Sequence, residues 1–369
     1  MKVLHIITDL DTGGAEMMLY KLLVSLQDES VDSSVVSLMG HGVISVRIEE
    51  LGIKVETLDM GQGERPGWST LVSLKQLMAR IEPDIVQGWM YHGNMAATLA
   101  KLLGWMSGCK AGLFWNIRQT LYDLNNEKRQ TRWLIHLGRW LSFLPSKIIY
   151  NSNMSRKQHA DVGYNNNSQV IPNGFDLQQF YPDPRRCQQF RESIGVTNET
   201  VLIGHISRFH PMKDHATLLR VVDRVVETSG GHQDIQFLLV GYGVTADLSD
   251  HPSIRFLGER TDVAEIMSAL DLVVLTSAWG EGFPNVIGEA MASGVPCVVT
   301  NVGDSAQIVG QYGLVCSVGD DRCIANSLLR LINSAEQRQF MGQQARKRIQ
   351  RSYTMDIINE KYLECWGLH

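Results

Sequence analysis

Short apolar runs alternate with helical stretches along almost the whole chain, a rhythm that predicts parallel sheets covered by helices on both faces. In the first half VLHIIT, DSSVVSLM, KVETLDM, DIVQGWM, AGLFWNIR, KIIYNS and QVIPNG read as strands. In the second half VLIGHISR, IQFLLVGYG, IRFLG, DLVVLTS, PCVVTN and GLVCSV do so. The pattern restarts near Asn173, and the stretch IPNGFDLQQFYPDPRR around it is rich in turn-forming Pro, Asn, Gly and Asp. The expected organisation is a Rossmann-like doubly wound domain over 1–172, a second over 173–352, and a helix over 353–369 that caps the second domain or crosses back to the first. Doubly wound sheets bind ligands outside the carboxyl ends of their strands, so the expected site is a cleft where the two sets of strand ends face each other.

Composition narrows the class. With 369 residues, 44% hydrophobic and 20% charged, the chain suits two globular domains and gives no compositional case for disorder. No window of about 18 apolar residues predicts a spanning helix, and the opening MKVLHIITDLDTGG lacks the apolar core of a signal peptide. The six cysteines, Cys109, Cys187, Cys297, Cys316, Cys323 and Cys365, include no C-x-x-C pair, so neither a disulfide framework nor a zinc site is expected. A cytoplasmic location follows as the expectation.

The formal net charge of -5 hides a local excess: ten basic residues against two acidic ones lie between Lys101 and Lys157. No aromatic-basic recognition module accompanies them, which argues against nucleic acid.

Three clusters follow predicted strands. In TDLDTGGAE, Gly13 and Gly14 let backbone approach a ligand where a helix opens near Ala15; an ordinary strand-to-helix turn fits equally well. In HISRFHPMKDH, Arg208 and Lys213 bring two cations to one loop, a fit for a diphosphate. In EGFPNVIGEAMASGVP, Pro284 suits the first position of a helix that Gly294 and Pro296 end, predicting a helix from about Pro284 to Ser293. Its mouth can hold phosphate oxygens. Glu281 and Glu289 must then reach past the phosphates to hydroxyl groups, or else serve only the helix dipole.

The stretch EGFPNVIGEAMASGVPCVVT resembles the E-x7-E signature of the retaining family 4 glycosyltransferases, which have the GT-B fold of two Rossmann-like domains. GGAE, ISRFHPMKDH and VIPNGFD resemble other landmarks of that family, in the same order. The resemblance implies that Arg208 and Lys213 bind the donor diphosphate and Glu289 its ribose. It gives Glu281, with the backbone of Gly282, Phe283, Pro284, Asn285 and Val286, the donor sugar and its phosphate. Gly13 and Gly14 would close on the phosphates. Gly241, Arg260 and Val263 would seat the base, and His92 in GWMYHGNMAA would donate or accept a hydrogen bond at a sugar hydroxyl. The implied activity is metal-independent transfer of a hexose from a nucleotide-diphosphate sugar, most readily a UDP-sugar. The implied acceptor is a saccharide or lipid-linked molecule in bacterial surface polysaccharide assembly. A sugar-nucleotide epimerase and a non-catalytic binding protein of the same fold are the alternatives.

The acceptor should meet the first domain, where Trp115, Asn116 and Arg118 follow a strand; Arg118 could equally be a buried ion-pair partner. From Glu127 to Leu144, Trp133, Leu137, Trp140 and Leu144 recur at helical spacing beside Arg132, His136 and Arg139. With Lys128 and Arg129 these suit a helix lying on the inner face of an anionic membrane. An ordinary helix with its tryptophans in the core is the competing reading.

Overall fold

The structure is a computed structural model, and it describes every residue except 12, 28, 62–66, 123, 125–128, 231–233 and 369. It divides into two compact units: Met1–Gly174 with Met355–His369, and Phe175–Thr354. The sequence boundaries at 172 and 352 differ from these by two residues.

In the first unit the elements alternate as β1 (Lys2–Ile7), α1 (Gly14–Ser25), β2 (Asp32–Ser37), α2 (Val43–Glu49), β3 (Val55–Thr57), α3 (Trp68–Ile81), β4 (Ile85–Trp89), α4 (Met90–Trp105), β5 (Gly112–Ile117), α5 (Arg129–Leu141), β6 (Lys147–Tyr150), α6 (Asn153–Val162) and β7 (Ser168–Val170). The seven strands are parallel, in the order β3-β2-β1-β4-β5-β6-β7. Strands such as β1 and β4 are buried on both faces because helices cover both, which is why they read as continuous apolar runs.

The second unit runs α7 (Pro184–Ser193), β8 (Val201–Ile206), α8 (His215–Ser229), β9 (Ile235–Val240), β10 (Ile254–Gly258), α9 (Val263–Ala269), β11 (Leu272–Leu275), α10 (Asn285–Ala292), β12 (Cys297–Thr300), α11 (Ser305–Val309), β13 (Leu314–Cys316), α12 (Asp321–Ile332) and α13 (Ala335–Ser352). Its six strands are also parallel, ordered β10-β9-β8-β11-β12-β13. Each unit is therefore a doubly wound α/β layer structure of the Rossmann type, as the alternation predicts.

The last helix, α14 (Met355–Trp366), belongs to the first unit, so the chain does cross back. Its Tyr362 and Trp366 enter the core beside β1 and β4. Asn116 Nδ2 donates to Tyr362 Oη at 2.7 Å, Trp366 Nε1 to Gln87 Oε1 at 3.0 Å, and Asn359 Nδ2 to the Ser25 carbonyl at 3.1 Å. Buried polar atoms demand such partners, and these three bonds fix where the helix lies.

One expectation about cysteine is overturned. Cys316 at the end of β13 and Cys323 in the first turn of α12 form a disulfide, their Cα atoms 5.8 Å apart. The tight turn between strand and helix folds the two together, although they are 7 positions apart in sequence.

Candidate active site

In both units the strand order reverses at one point, between β1 and β4 in the first and between β8 and β11 in the second. Helices diverge to opposite faces there and leave a crevice at the carboxyl ends of the strands, the place where such sheets bind ligands. Gly13, Gly14 and His92 follow β1 and β4. Arg208, Lys213 and Glu281 follow β8 and β11. Two of the four non-glycine residues with positive φ among the described residues, Met90 (61°) and Asp214 (47°), lie at these same turns. Such strain persists only where the surroundings hold it.

The second-unit cluster is built from the end of β11. Thr276 and Ser277 are consecutive and both fully buried. Thr276 Oγ1 donates to the Lys213 carbonyl at 2.8 Å, and the Ala278 amide donates to the Met212 carbonyl at 2.8 Å, stitching the Pro211–Lys213 turn onto the strand end. Ser277 Oγ donates to Glu281 Oε1 at 2.7 Å, and Lys213 Nζ donates to the same oxygen. Lys213 and Glu281, assigned from sequence to diphosphate and sugar separately, are thus ion-paired with each other in a nearly buried setting. The Glu281 backbone is pressed by Gly303, whose φ is 58° and where a Cβ would come within 2.3 Å of the Glu281 carbonyl oxygen. The Asp304 amide donates to the Gly282 carbonyl at 2.9 Å. Behind Thr276, His205 is fully buried and packs against His215; burial, reinforced by the nearby His215 and Lys213, drives its pKa well below the ordinary value, so the ring is neutral.

Helix α10 begins one residue later than expected. Pro284 is its extended N-cap and the helix spans Asn285–Ala292, ending one residue before Ser293. The residues of the mouth divide by side chain. Phe283 is buried, its ring stacked on Phe175 at 6.1 Å, and Val286 packs in the core, so both can offer a ligand only backbone. Glu289 is half-buried in the second turn, and Asn285 half-buried in the first. Arg208 is exposed.

Gly241 occupies a position no side chain could share: a Cβ would lie 2.0 Å from the Ser207 carbonyl oxygen. It lets the loops after β8 and β9 cross, with the Phe209 amide donating to the Tyr242 carbonyl at 2.7 Å. The Arg260 guanidinium is engaged by Asp262 of its own turn through Nε at 2.7 Å and a second nitrogen at 2.5 Å. Val263 opens α9 and packs against the core. Arg260 is thus paired within its own turn, and Val263 is partly buried at the start of α9.

In the first unit Gly13 is the N-cap of α1 and Gly14 its first residue. A Cβ on Gly13 would meet the Glu16 side chain, whereas one on Gly14 would meet nothing within 4 Å. The turn is acidic: burial, aided by Asp9 and Asp11, raises the Glu16 carboxyl pKa against the backbone amides that lower it. His92 is half-buried in the first turn of α4, and burial lowers its pKa, leaving a neutral hydrogen-bonding ring.

Of the expected acceptor trio, Trp115 and Asn116 are buried and Arg118 is half-buried. Trp115 is buried with Nε1 donating to Thr98 Oγ1 at 3.0 Å, and Asn116 is buried against Tyr362. Arg118 donates to Asn173 Oδ1 at 3.1 Å, Asn116 Oδ1 at 3.1 Å and Tyr362 Oη at 3.0 Å. These partners are neutral oxygens, so the guanidinium is held neither as an open anion contact nor as half of an ion pair; it ties β5, the 171–173 segment and α14 together. Helix α5 departs from the competing reading that put its tryptophans in the core. Trp133 and Trp140 are exposed, and Ile135 and Gly138 face the core. Arg129 and Arg139 are exposed and Arg132 half-buried, while Lys128 lies outside the described residues.

A cleft of about 420 Å³ lined by Glu82, Asp84, Cys109 and Lys110, among others, touches none of the candidate residues. No group of three or more His, Cys, Asp and Glu able to hold a metal is found among the described residues.

Two family models match the two units, Glycosyltransferase Family 4 over residues 12–179 and Glycosyl transferases group 1 over residues 200–334. The chain belongs to the family 4 glycosyltransferases. This family 4 chain is 28% identical over 214 residues to N-acetyl-alpha-D-glucosaminyl L-malate synthase of Bacillus anthracis, a match covering 55% of the chain and 54% of that protein. It therefore spans about half the length of that relative. It is 22% identical over 316 residues to UDP-Gal:alpha-D-GlcNAc-diphosphoundecaprenol alpha-1,3-galactosyltransferase of Escherichia coli, covering 80% of the chain and 79% of the enzyme. Among solved structures, Anabaena HepE in complex with UDP superposes with a TM-score of 0.83 at 22% identity, covering all of both chains. At that identity the likeness establishes the GT-B fold.

Proposed function

We propose that this chain is a retaining, metal-independent glycosyltransferase that moves a hexose from a UDP-sugar to a saccharide or lipid-linked acceptor, in assembly of bacterial surface polysaccharide at an anionic membrane face. The observation that carries the reading is the cluster of Lys213, Glu281 and Ser277 beside the mouth of α10, all at the switch point of the second sheet. Supporting it, the Escherichia coli relative is by name a UDP-galactose enzyme acting on a diphosphoundecaprenol-linked sugar, and Anabaena HepE was solved with UDP.

Transfer requires stabilisation of the charge that grows on the departing diphosphate. Lys213, Arg208 and the first-turn amides of α10 supply it from the protein itself. In the resting structure Lys213 is held by Glu281, so donor binding exchanges that partner for phosphate oxygens. Glu281, still held by Ser277, is then free to accept hydrogen bonds from donor-sugar hydroxyls. Glu289 takes the ribose diol, and neutral His92 a further sugar hydroxyl.

The test is incubation with a panel of UDP-sugars, with and without membrane lipid extract. UDP release that requires the extract is the expected result. Isomerised nucleotide sugar without extract would establish the epimerase alternative.

A further inference from the structure

The first unit carries an apolar face that its own core does not use. On α5, Trp133 and Trp140 are 63% and 69% exposed, and Phe143 just past the helix is exposed as well. The two tryptophans are seven residues apart, which is two helical turns and one face, and Phe143 follows Trp140 at the neighbouring i+3 position. An aromatic side chain has roughly 150–250 Å² to bury, so this face leaves a large apolar area in water.

The neighbouring helix repeats the arrangement. The last turn of α4 and the residue after it expose Leu102, Trp105 (69%) and Met106 (72%). Helices α4 and α5 pack side by side. Both return between adjacent parallel strands, so they run in the same direction, and Trp105, Met106, Trp140 and Phe143 share one end of the sheet.

Charge identifies the occupant. Helix α5 carries Arg129, Arg132 and Arg139 and no acidic residue. The Arg139 guanidinium lies 5.3 Å from the Trp140 ring centroid, so the cation sits against the aromatic it would accompany into an interface. A second copy of the chain would set the same arginines against one another about a two-fold axis. A sheet of negative headgroups takes the cations and the rings together, at about 1 kcal/mol per basic residue near the surface.

We propose that α5 and the C-terminal turn of α4 form a single docking surface for an anionic lipid bilayer, with Trp105, Met106, Trp133, Trp140 and Phe143 entering the headgroup boundary. The surface deepens the lipid-linked acceptor of the proposed function and rests on that reading for its purpose, though the docking itself requires no catalysis.

Flotation of the full chain with vesicles of phosphatidylglycerol and phosphatidylcholine, compared with phosphatidylcholine alone, tests it. Binding should need the anionic lipid and weaken with salt. Three variants, Trp133→Ala with Trp140→Ala, Trp105→Ala with Met106→Ala, and Arg129→Glu with Arg139→Glu, should each lower partitioning about tenfold or more. UDP affinity by calorimetry should be unchanged in all three, which shows them folded. Equal flotation of the variants, or equal binding to neutral vesicles, would overturn the proposal. An effect confined to the α5 variants would overturn the two-helix surface. Dimerisation that these variants abolish would make a second copy the occupant instead. If the parent floats with anionic vesicles yet binds no UDP, the donor-site reading fails and the docking surface stands.

Discussion

Ser277 and Lys213 grip the same oxygen of Glu281, the hydroxyl at 2.7 Å and the ammonium beside it. Just past the end of β11, Thr276 holds the backbone of the cation while its neighbour Ser277 holds the side chain of the acid. Removing the Ser277 hydroxyl should therefore act after Lys213 has turned to the diphosphate. Ser277→Ala is expected to lower kcat about tenfold with little change in donor KM, and Ser277→Thr to restore part of it. Steady-state kinetics of both variants decide the point; an unchanged kcat in Ser277→Ala would remove the hydroxyl from the reaction.

Glu289 in the second turn of α10 is assigned to the ribose. A hydrogen bond to a charged group contributes about 1.5–3 kcal/mol, so Glu289→Ala should weaken UDP binding by about tenfold or more. Calorimetric titration with UDP measures this, and unaltered affinity would take Glu289 out of the site.

Gly303 supports the Glu281 backbone from a left-handed conformation with no room for a Cβ. Gly303→Ala should cost about 1–3 kcal/mol of stability through strain and clash, seen in denaturant unfolding of the second unit. Donor binding should fall with it, because the Glu281–Gly282 peptide must move.

Stability of the first unit should fall in mild acid. Burial depresses the His5 pKa to about 3 and that of His159 to about 4, from 6.5. The unfolded chain therefore binds more protons than the folded one below pH 6.5, and stability drops as pH falls toward 4. The His159 contribution is at most about 3 kcal/mol. The neutral His159 ring donates from Nδ1 to the Ser155 carbonyl (2.8 Å), which leaves Nε2 to accept from the Tyr91 hydroxyl (2.9 Å). His159→Gln should flatten the pH dependence of the denaturation midpoint between pH 6.5 and 4, and an unchanged slope would exclude His159 as its source.

Part of the site is legible in the order of residues. Strand runs followed by Gly-Gly, by Arg and Lys, and by Glu-Gly-Phe-Pro locate the loops at which a doubly wound sheet binds. Other features are not legible there. FWNIR reads the same whether Trp115 and Asn116 face a ligand or a helix, and it is α14, arriving from nearly two hundred and fifty residues away, that buries Asn116 under Tyr362. The periodicity of α5 gives a tryptophan stripe but not the face that meets the sheet; Ile135 and Gly138 take the core, and Tyr164 packs so close to Gly138 that a Cβ would lie 2.2 Å from its hydroxyl. Thr276 and Ser277 give no sequence signal, since a hydroxyl at a strand end is ordinary turn chemistry.

What the sequence alone determined is the alternation of strands and helices, the restart near Asn173 and the loops that carry charge, because apolar period and turn residues act over a few positions. Tertiary structure decided the partners: that Lys213 pairs with Glu281, that Arg118 is tied to Asn116, Asn173 and Tyr362, that Cys316 meets Cys323 and that two tryptophans stay outside. Those outcomes depend on where the strand order reverses and on which segments return to cover a face, and contacts between distant positions leave no mark in local spacing.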